Sequence, residues 1–333
     1  MPPHTPQPFT FKTVAGVDYK LDCFLPDVHK FGSATKARLP VLVNWHGGGL
    51  VAGTRAMDDL SLWLLEDSLQ AGFVFISPDY TLLAPHTAHD IISDVKDVIS
   101  WIAARLNQEV HSHTVDPRRI AVSGNSAGGY LAYLAALYAS PKPRVMVPIY
   151  AMGGNMLVDA CVVPKSEPFI RDGDEMVPLL PQEPYISLLE ADRSVPPCVW
   201  VDNNPELARD SVYVYLLQAA LLVDVVAGIP GISAKLASVP LEERAVLIPK
   251  DALPLFPHLA AKNSMPPAFF VHGTADSIVS IDETRTMHQL LVRDNIDTVF
   301  LELDGKEHAF DLGVTSSSTL GLDGVVPFLL KHL

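Results

Sequence analysis

Residues 123–129 read SGNSAGG, which places Gly124, Ser126 and Gly128 in the pattern Gly-x-Ser-x-Gly. By composition alone the pattern arises in about one chain in ten of this length, so its setting has to carry the chemistry. The apolar run RIAVSG, which reads as a buried strand, precedes it, and a helical stretch, AYLAALY, follows within it and beyond. A serine on a tight strand-to-helix turn has its hydroxyl held out at the carboxyl end of a sheet. It also sits at the positive N-terminus of a helix, where developing negative charge is favoured. The same residues without chemistry would be a serine N-cap.

A second stretch complements the first. NWHGGGLVAG, residues 44–53, ends the apolar run Val41, Leu42, Val43 in three glycines. Glycine is costly to order and buries no side chain, so backbone this bare suits a ligand that must approach the peptide amides. A carbonyl attacked by Ser126 becomes an oxyanion, and preorganised N–H donors stabilise it. Gly48 and Gly49 offer two such donors and Ala127, next to the serine, a third. His46 sits on the donor loop and reads as its brace, held by a hydrogen bond, not as a base.

A serine hydroxyl needs an imidazole to take its proton, and the imidazole needs a partner that fixes its tautomer. When the serine lies on a strand-turn-helix elbow, the acid and then the histidine follow it in the chain. PPAFFVHG leads into TADSIV, which puts Asp276 in the loop after a strand; TVFLELDG leads into KEHAF, which puts His308 in the loop after the next. Glu302 and Asp304 compete with Asp276, but Glu302 falls within a strand and Asp304 lies close to His308 along the chain. His272 looks structural, and His288 and His332 fall on helices. The pairs in HTAHD (His86, His89, Asp90) and HSH (His111, His113) lack a matching carboxylate-histidine set for zinc, so no metal and no cofactor is called for.

The elements that must position these residues alternate. A hairpin turned at Gly16 (FTFKTV and VDYKLDCFLP) is followed by strand LPVLVNW, a helix over 57–71 and strand GFVFISPDY. A helix over 87–107 carries Ile91, Val95, Val98, Ile99, Ile102 and Leu106 at helical spacing. Strand RIAVSG, a helix stopped at Pro141 and strand RVMVPIYAM follow; after residue 266 come PPAFFVHG, a helix over 282–294, TVFLELDG and a helix near 318–332. Short apolar strands alternating with helices make an α/β fold, a mostly parallel sheet covered on both faces. Residues 152–265 break the rhythm with clustered prolines and a helical stretch near 206–228, and no clear strand is visible there. The expected organisation is a core of 1–151 and 266–333 with a mainly helical insertion of 152–265 capping it.

The 333 residues carry a net charge of −14, which argues against nucleic acid as a partner. No apolar run reaches the ~18 residues of a membrane span. The N-terminus lacks the pattern of a secretory signal. Cys23, Cys161 and Cys198 are odd in number and far apart, which suggests reduced thiols and a cytoplasmic location. A homodimer is left open.

Taken together, HGGG (46–49), SPDYTLLAP (77–85), DPRRIAVSGNSAGG (116–129), MPPAFFVHGTADSIV (265–279) and EHAF (307–310) resemble the hormone-sensitive-lipase-like carboxylesterases of the α/β-hydrolase superfamily, fold-3 type. The resemblance implies Ser126 as nucleophile, His308 as base, Asp276 as its orienter, and Gly48, Gly49 and Ala127 as the oxyanion hole. It implies an ester as small-molecule substrate. The Leu, Val, Pro and aromatic content of the insertion (Phe169, Tyr185, Trp200, Tyr213, Tyr215) reads as packing within the cap or as an apolar pocket for an acyl chain or aromatic alcohol. No lipid-interface helix stands out, so short to medium acyl esters are expected. Two departures stand out: Asn125 precedes the nucleophile where Asp or Thr is common, and Thr81 stands where an Arg commonly follows the Tyr. The same triad would serve an amidase, deacetylase or formamidase. A non-catalytic receptor, as in the gibberellin receptors that resemble this family, would have lost the base that His308 supplies here.

Overall fold

The computed structural model describes residues 4–27, 38–56, 60–171, 175–191, 209–261 and 265–333. Strands β1 (Gln7–Val14) and β2 (Val17–Phe24) form an antiparallel hairpin. Ala15 at φ 50° and Gly16 at φ 79° make its two-residue turn, the positive-φ pair whose twist matches that of the flanking strands. Strands β3 (Leu39–Trp45), β4 (Val74–Pro78), β5 (Val115–Asn125), β6 (Val145–Ile149), β9 (Ala268–Gly273) and β10 (Thr298–Leu303) run parallel. Among the described residues these make one eight-stranded sheet in the order β1-β2-β4-β3-β5-β6-β9-β10.

The crossovers are α1 (Leu62–Gln70), α2 (Ala88–Glu109), α3 (Ala127–Tyr138) and α11 (Ile281–Arg293), and the chain closes on α12 (Val325–His332). Strand side chains alternate between two cores, as a period of two requires. Val41, Val43, Ile76, Val122 and Phe270 pack with Ile91, Val95, Leu131 and Met287 of α2, α3 and α11. Leu42, Phe75, Ala121, Phe269 and Val271 pack with Trp63, Leu64, Phe328 and Leu329 of α1 and α12. Burial on both faces is why the strands read as continuous apolar runs.

Between β6 and β9 lie α4 (Asp159–Val162), α5 (Tyr185–Leu189), α6 (Arg209–Gln218), α7 (Leu222–Ala227), α8 (Ile232–Ala237), α9 (Leu241–Arg244) and α10 (Pro257–Ala260). Three of the sequence expectations need correction. A small antiparallel pair, β7 (Phe169–Arg171) with β8 (Glu175–Val177), occurs where no strand was expected. The single helical stretch near 206–228 is two helices: Leu221 N–H donates to Leu216 C=O at 2.8 Å across Ala220, which adopts φ 53°. This is a Schellman-type stop built on an alanine, without the usual glycine. The closing helix is also shorter than expected, a 3₁₀ turn at Ser317–Thr319 preceding α12. Residues 57–59, 206–208, Cys198 and Trp200 lie outside the described residues. Cys23 and Cys161 are free and buried. No described helix is long and apolar enough to cross a membrane.

Candidate active site

Because β3, β5, β9 and β10 are parallel, the loops after them open on one edge. Trp45 pairs with Gly124, and Leu303 with Gly273, so the strand ends are level. Ser126 follows β5 directly and heads α3 at φ 53°, ψ −119°. A non-glycine residue there costs on the order of 1–3 kcal/mol and persists only where its surroundings over-determine it. They do: Ser126 N–H donates to Ile149 C=O at 3.0 Å, and Ser126 C=O accepts from Gly129 at 3.0 Å and Met152 at 3.1 Å. The bare neighbours are required by packing. A Cβ on Gly124 would lie 2.2 Å from the Gly128 carbonyl, and one on Gly128 would lie 2.0 Å from the Trp45 carbonyl oxygen.

The structure brings the three expected side chains into one relay. Ser126 Oγ lies 3.0 Å from His308 Nε2, and His308 Nδ1 lies 2.8 Å from Asp276 Oδ2. Asp276 Oδ1 accepts the amides of Ile278 (2.9 Å) and Val279 (2.8 Å). Burial alone would raise the Asp276 carboxyl, but hydrogen bonds from His272 and His308 hold it well below the usual carboxylate range. Asp276 is therefore an acceptor only, and the His308 proton on Nδ1 leaves Nε2 free to accept from the serine hydroxyl. The competing carboxylates are engaged elsewhere: Glu302 accepts from Arg285 at 3.0 and 2.7 Å, and Asp304 from Thr274 at 3.4 Å.

The glycine loop passes beside the serine. A Cβ on Gly47 would sit 3.5 Å from Ser126 Cβ. Gly48 and Gly49 adopt φ 96° and 62°, and a Cβ on Gly48 would meet the Ala52 carbonyl oxygen at 2.3 Å. Above Gly49 a Cβ would run into Tyr213 of α6 at 2.5 Å, so the insertion packs directly on this loop. His46 braces the loop as expected. Its Nδ1 lies 2.9 Å from Gly47 C=O and its ring stacks on Tyr80 at 4.3 Å. Burial pushes its imidazole down to about 4. Beside Tyr80, Arg55 pairs with Asp22 (3.0 Å) and Asp79 (2.9 Å), and Thr81 Oγ1 lies 2.8 Å from the Tyr19 hydroxyl.

Several contributors were not singled out in the sequence. Asp311, three residues beyond His308, is buried and accepts from Ser61 Oγ (2.8 Å), Trp63 Nε1 (2.8 Å) and Tyr150 O–H (2.5 Å). The Tyr150 ring in turn meets the His308 ring edge-on at 4.8 Å. Glu283, on the first turn of α11, accepts the amides of Gly153 (2.6 Å) and Asn155 (3.4 Å) just beyond the elbow. Burial raises it to about 7 against the pull of those amides. The only signals in sequence were an Asp near the base and an Asp-Glu pair opening a helix, both common on surfaces. Among the described residues no group of three His, Cys, Asp or Glu could hold a metal ion.

A strained serine elbow on a mostly parallel, doubly covered sheet defines the class: the chain has the α/β-hydrolase fold. The family model described as BD-FAE matches residues 21–148, less than half of the chain. A solved structure of esterase 2 from Thermogutta terrifontis, phosphoramylated by tabun, superposes with TM-score 0.60 at 17% identity over 99% of this chain and 96% of that one. Among curated proteins, the probable carboxylesterase M8 of Phoma sp. (strain ATCC 20986 / MF5453) is 33% identical over 140 residues, 40% of this chain and 44% of that protein. Esterase LipC of Mycobacterium tuberculosis (strain ATCC 25618 / H37Rv) is 28% identical over 275 residues, 82% of this chain and 53% of that protein. The non-reducing polyketide synthase Preu6 of Preussia isomera is 25% identical over 97% of this chain and 14% of its own length. The chain thus spans about half or less of the length of these relatives.

Proposed function

We propose that the chain is a serine hydrolase that cleaves carboxylic esters through an acyl-enzyme on Ser126. His308 is the general base and then the general acid, and Asp276 orients it. The observation that carries this reading is the unbroken relay of Ser126 Oγ to His308 Nε2 at 3.0 Å and His308 Nδ1 to Asp276 Oδ2 at 2.8 Å. Ser126 Oγ attacks the ester carbon while its proton passes to His308 Nε2. The carbonyl oxygen becomes an oxyanion facing the amides of Gly48, Gly49 and Ala127. The imidazolium returns the proton to the departing alkoxide, leaving the acyl group on the serine. Water then gives a proton to Nε2 as its oxygen adds to the acyl carbon, and collapse releases the acid and restores the serine hydroxyl.

The insertion of 152–265 is read as a cap over the core of 1–151 and 266–333, with Tyr213 on Gly49 as its point of contact with the donor loop. Short to medium acyl groups are proposed; structures of the Thermogutta esterase with butyrate and with propionate bound support that range. A cytoplasmic location is part of the same proposal. In the test, Ser126→Ala should abolish turnover of 4-nitrophenyl acetate and butyrate while circular dichroism stays unchanged. Paraoxon, which phosphorylates the Thermogutta esterase, should transfer its diethylphosphoryl group to Ser126 of the unaltered chain, releasing 4-nitrophenolate, and should not modify the variant. Ester turnover that survives in Ser126→Ala would overturn the assignment. The match to a polyketide synthase over nearly the whole chain favours one second reading, release of an acyl group from a thioester by the same serine. Simple acyl thioesters turned over faster than matched oxygen esters would select it.

A further inference from the structure

We infer that His272 is a positioning residue of this site: it donates its Nε2–H to the same Asp276 oxygen that accepts from His308, fixing the carboxylate and dividing its acceptor strength between two imidazoles. The inference rests on the catalytic reading of Ser126, His308 and Asp276. His272 is the penultimate residue of β9 and is fully buried. Its Nε2 lies 3.0 Å from Asp276 Oδ2 and 2.9 Å from Val279 C=O. Both neighbours are acceptors, one a carboxylate and one a carbonyl, so Nε2 must carry a proton. Its Nδ1 lies 2.8 Å from Thr284 Oγ1 on α11, and that hydroxyl can donate to it. The ring is therefore locked in place from both sides, by the loop it faces and by the helix behind it.

The consequence falls on the base. The Asp276 carboxylate has four donors: two amides on Oδ1, and two imidazole N–H groups on Oδ2. Every additional donor on a carboxylate stabilises its charged form and weakens its pull on the remaining proton it shares. Removing the His272 donor leaves Oδ2 to His308 alone, which strengthens that hydrogen bond and favours the protonated base. Other ionisable groups face this pair: Glu283 from α11, Glu302 from β10, Glu307 beside the base, and Tyr150 after β6. They remain the same in each variant compared, so they cancel in the difference.

The test compares His272→Asn with His272→Gln. An asparagine amide reaches the position of Nδ1, near Thr284, and loses the donor to Asp276; a glutamine amide reaches the position of Nε2 and keeps it. The acid limb of kcat/KM for 4-nitrophenyl butyrate should move up by about half to one pH unit in His272→Asn, as expected for loss of one hydrogen bond to a charged group. It should stay at its original position in His272→Gln. A purely structural role would lower the amplitude in both variants and move neither limb, and that result overturns the inference. Should the variants not fold, nitrogen-15 NMR of the labelled imidazoles in the unaltered chain decides: Nε2 of His272 must carry a proton throughout the active pH range, and an unprotonated Nε2 refutes the assignment. An unaltered chain that hydrolyses no ester defeats the parent reading instead, so the two failures are distinguishable.

Discussion

Gly49→Ala separates the chemistry of the glycine loop from its conformational strain. Gly49 stands at φ 62°, where an L-residue costs roughly 1–2 kcal/mol. The added Cβ would lie 2.5 Å from Tyr213 Cγ and 2.7 Å from its Cβ and Cδ2. Those atoms are next to the α6 backbone, so the tyrosine cannot swing its ring away to make room. The loop must move, and the Gly49 amide moves with it. Loss of one oxyanion donor removes about 2.7–4 kcal/mol of transition-state stabilisation, a factor of 10²–10³ in kcat. Because the donor acts on charge that develops only in the transition state, KM should change little. Gly231→Ala is the control: it shares the positive φ, 78°, with nothing within 4 Å of the new Cβ. It should cost a similar ~1–2 kcal/mol in urea unfolding and leave kcat untouched. Steady-state kinetics on 4-nitrophenyl butyrate, corrected for the fraction of protein that paraoxon labels, measure the effect. A Gly49→Ala enzyme with the original kcat would refute the placement of the oxyanion at this loop.

Two further perturbations probe the supports around the site. The Glu283 carboxyl rises from the ordinary 4.5 to about 7 on folding, so between those values the folded chain holds a proton that the unfolded chain has lost. Glu283 therefore contributes a fall in stability of about 3 kcal/mol as pH rises through that window, while His46 and His258, pushed down to about 4 by burial, contribute in the opposite sense. The stability difference between the unaltered chain and Glu283→Gln in urea unfolding isolates the glutamate. It should move in favour of the variant by most of that amount between pH 5 and pH 7, and a difference that is flat across this range contradicts the burial argument. Asp311→Leu removes the buried carboxylate that accepts from Ser61, Trp63 and Tyr150. It should destabilise by about 3 kcal/mol or more and slow turnover by loosening Tyr150 against His308, with a melting temperature equal to that of the unaltered chain as the refuting result.

The sequence by itself determined the sheet and the residues of the relay. Runs such as LPVLVNW and PPAFFVHG are apolar through Leu39–Val43 and Pro266–Val271 because both faces of a parallel strand are buried. Ser126, Asp276 and His308 were legible because each follows a strand, two of them doubly buried and the third the partly exposed edge strand β10, and parallel strands deliver their trailing loops to one edge. The glycines at 47–49 stood out in the sequence because bare backbone is costly to order.

Only the tertiary structure decided how that relay is held. Glu283 and Tyr150 reach the site through contacts between elements far apart in the chain, and even the near neighbours His272, Asp276 and Thr284 meet only once β9 and α11 are packed. Local spacing carries no trace of which buried polar group meets which. The same holds for the insertion. The stop at Ala220 uses a left-handed alanine that no glycine announces, and the seating of Tyr213 on Gly49 depends on where α6 comes to rest. Hydrophobic periodicity specifies which face of an element is buried; it does not specify the partner. A buried hydrogen bond, by contrast, is defined by its partner, and so it is fixed only when the chain has folded.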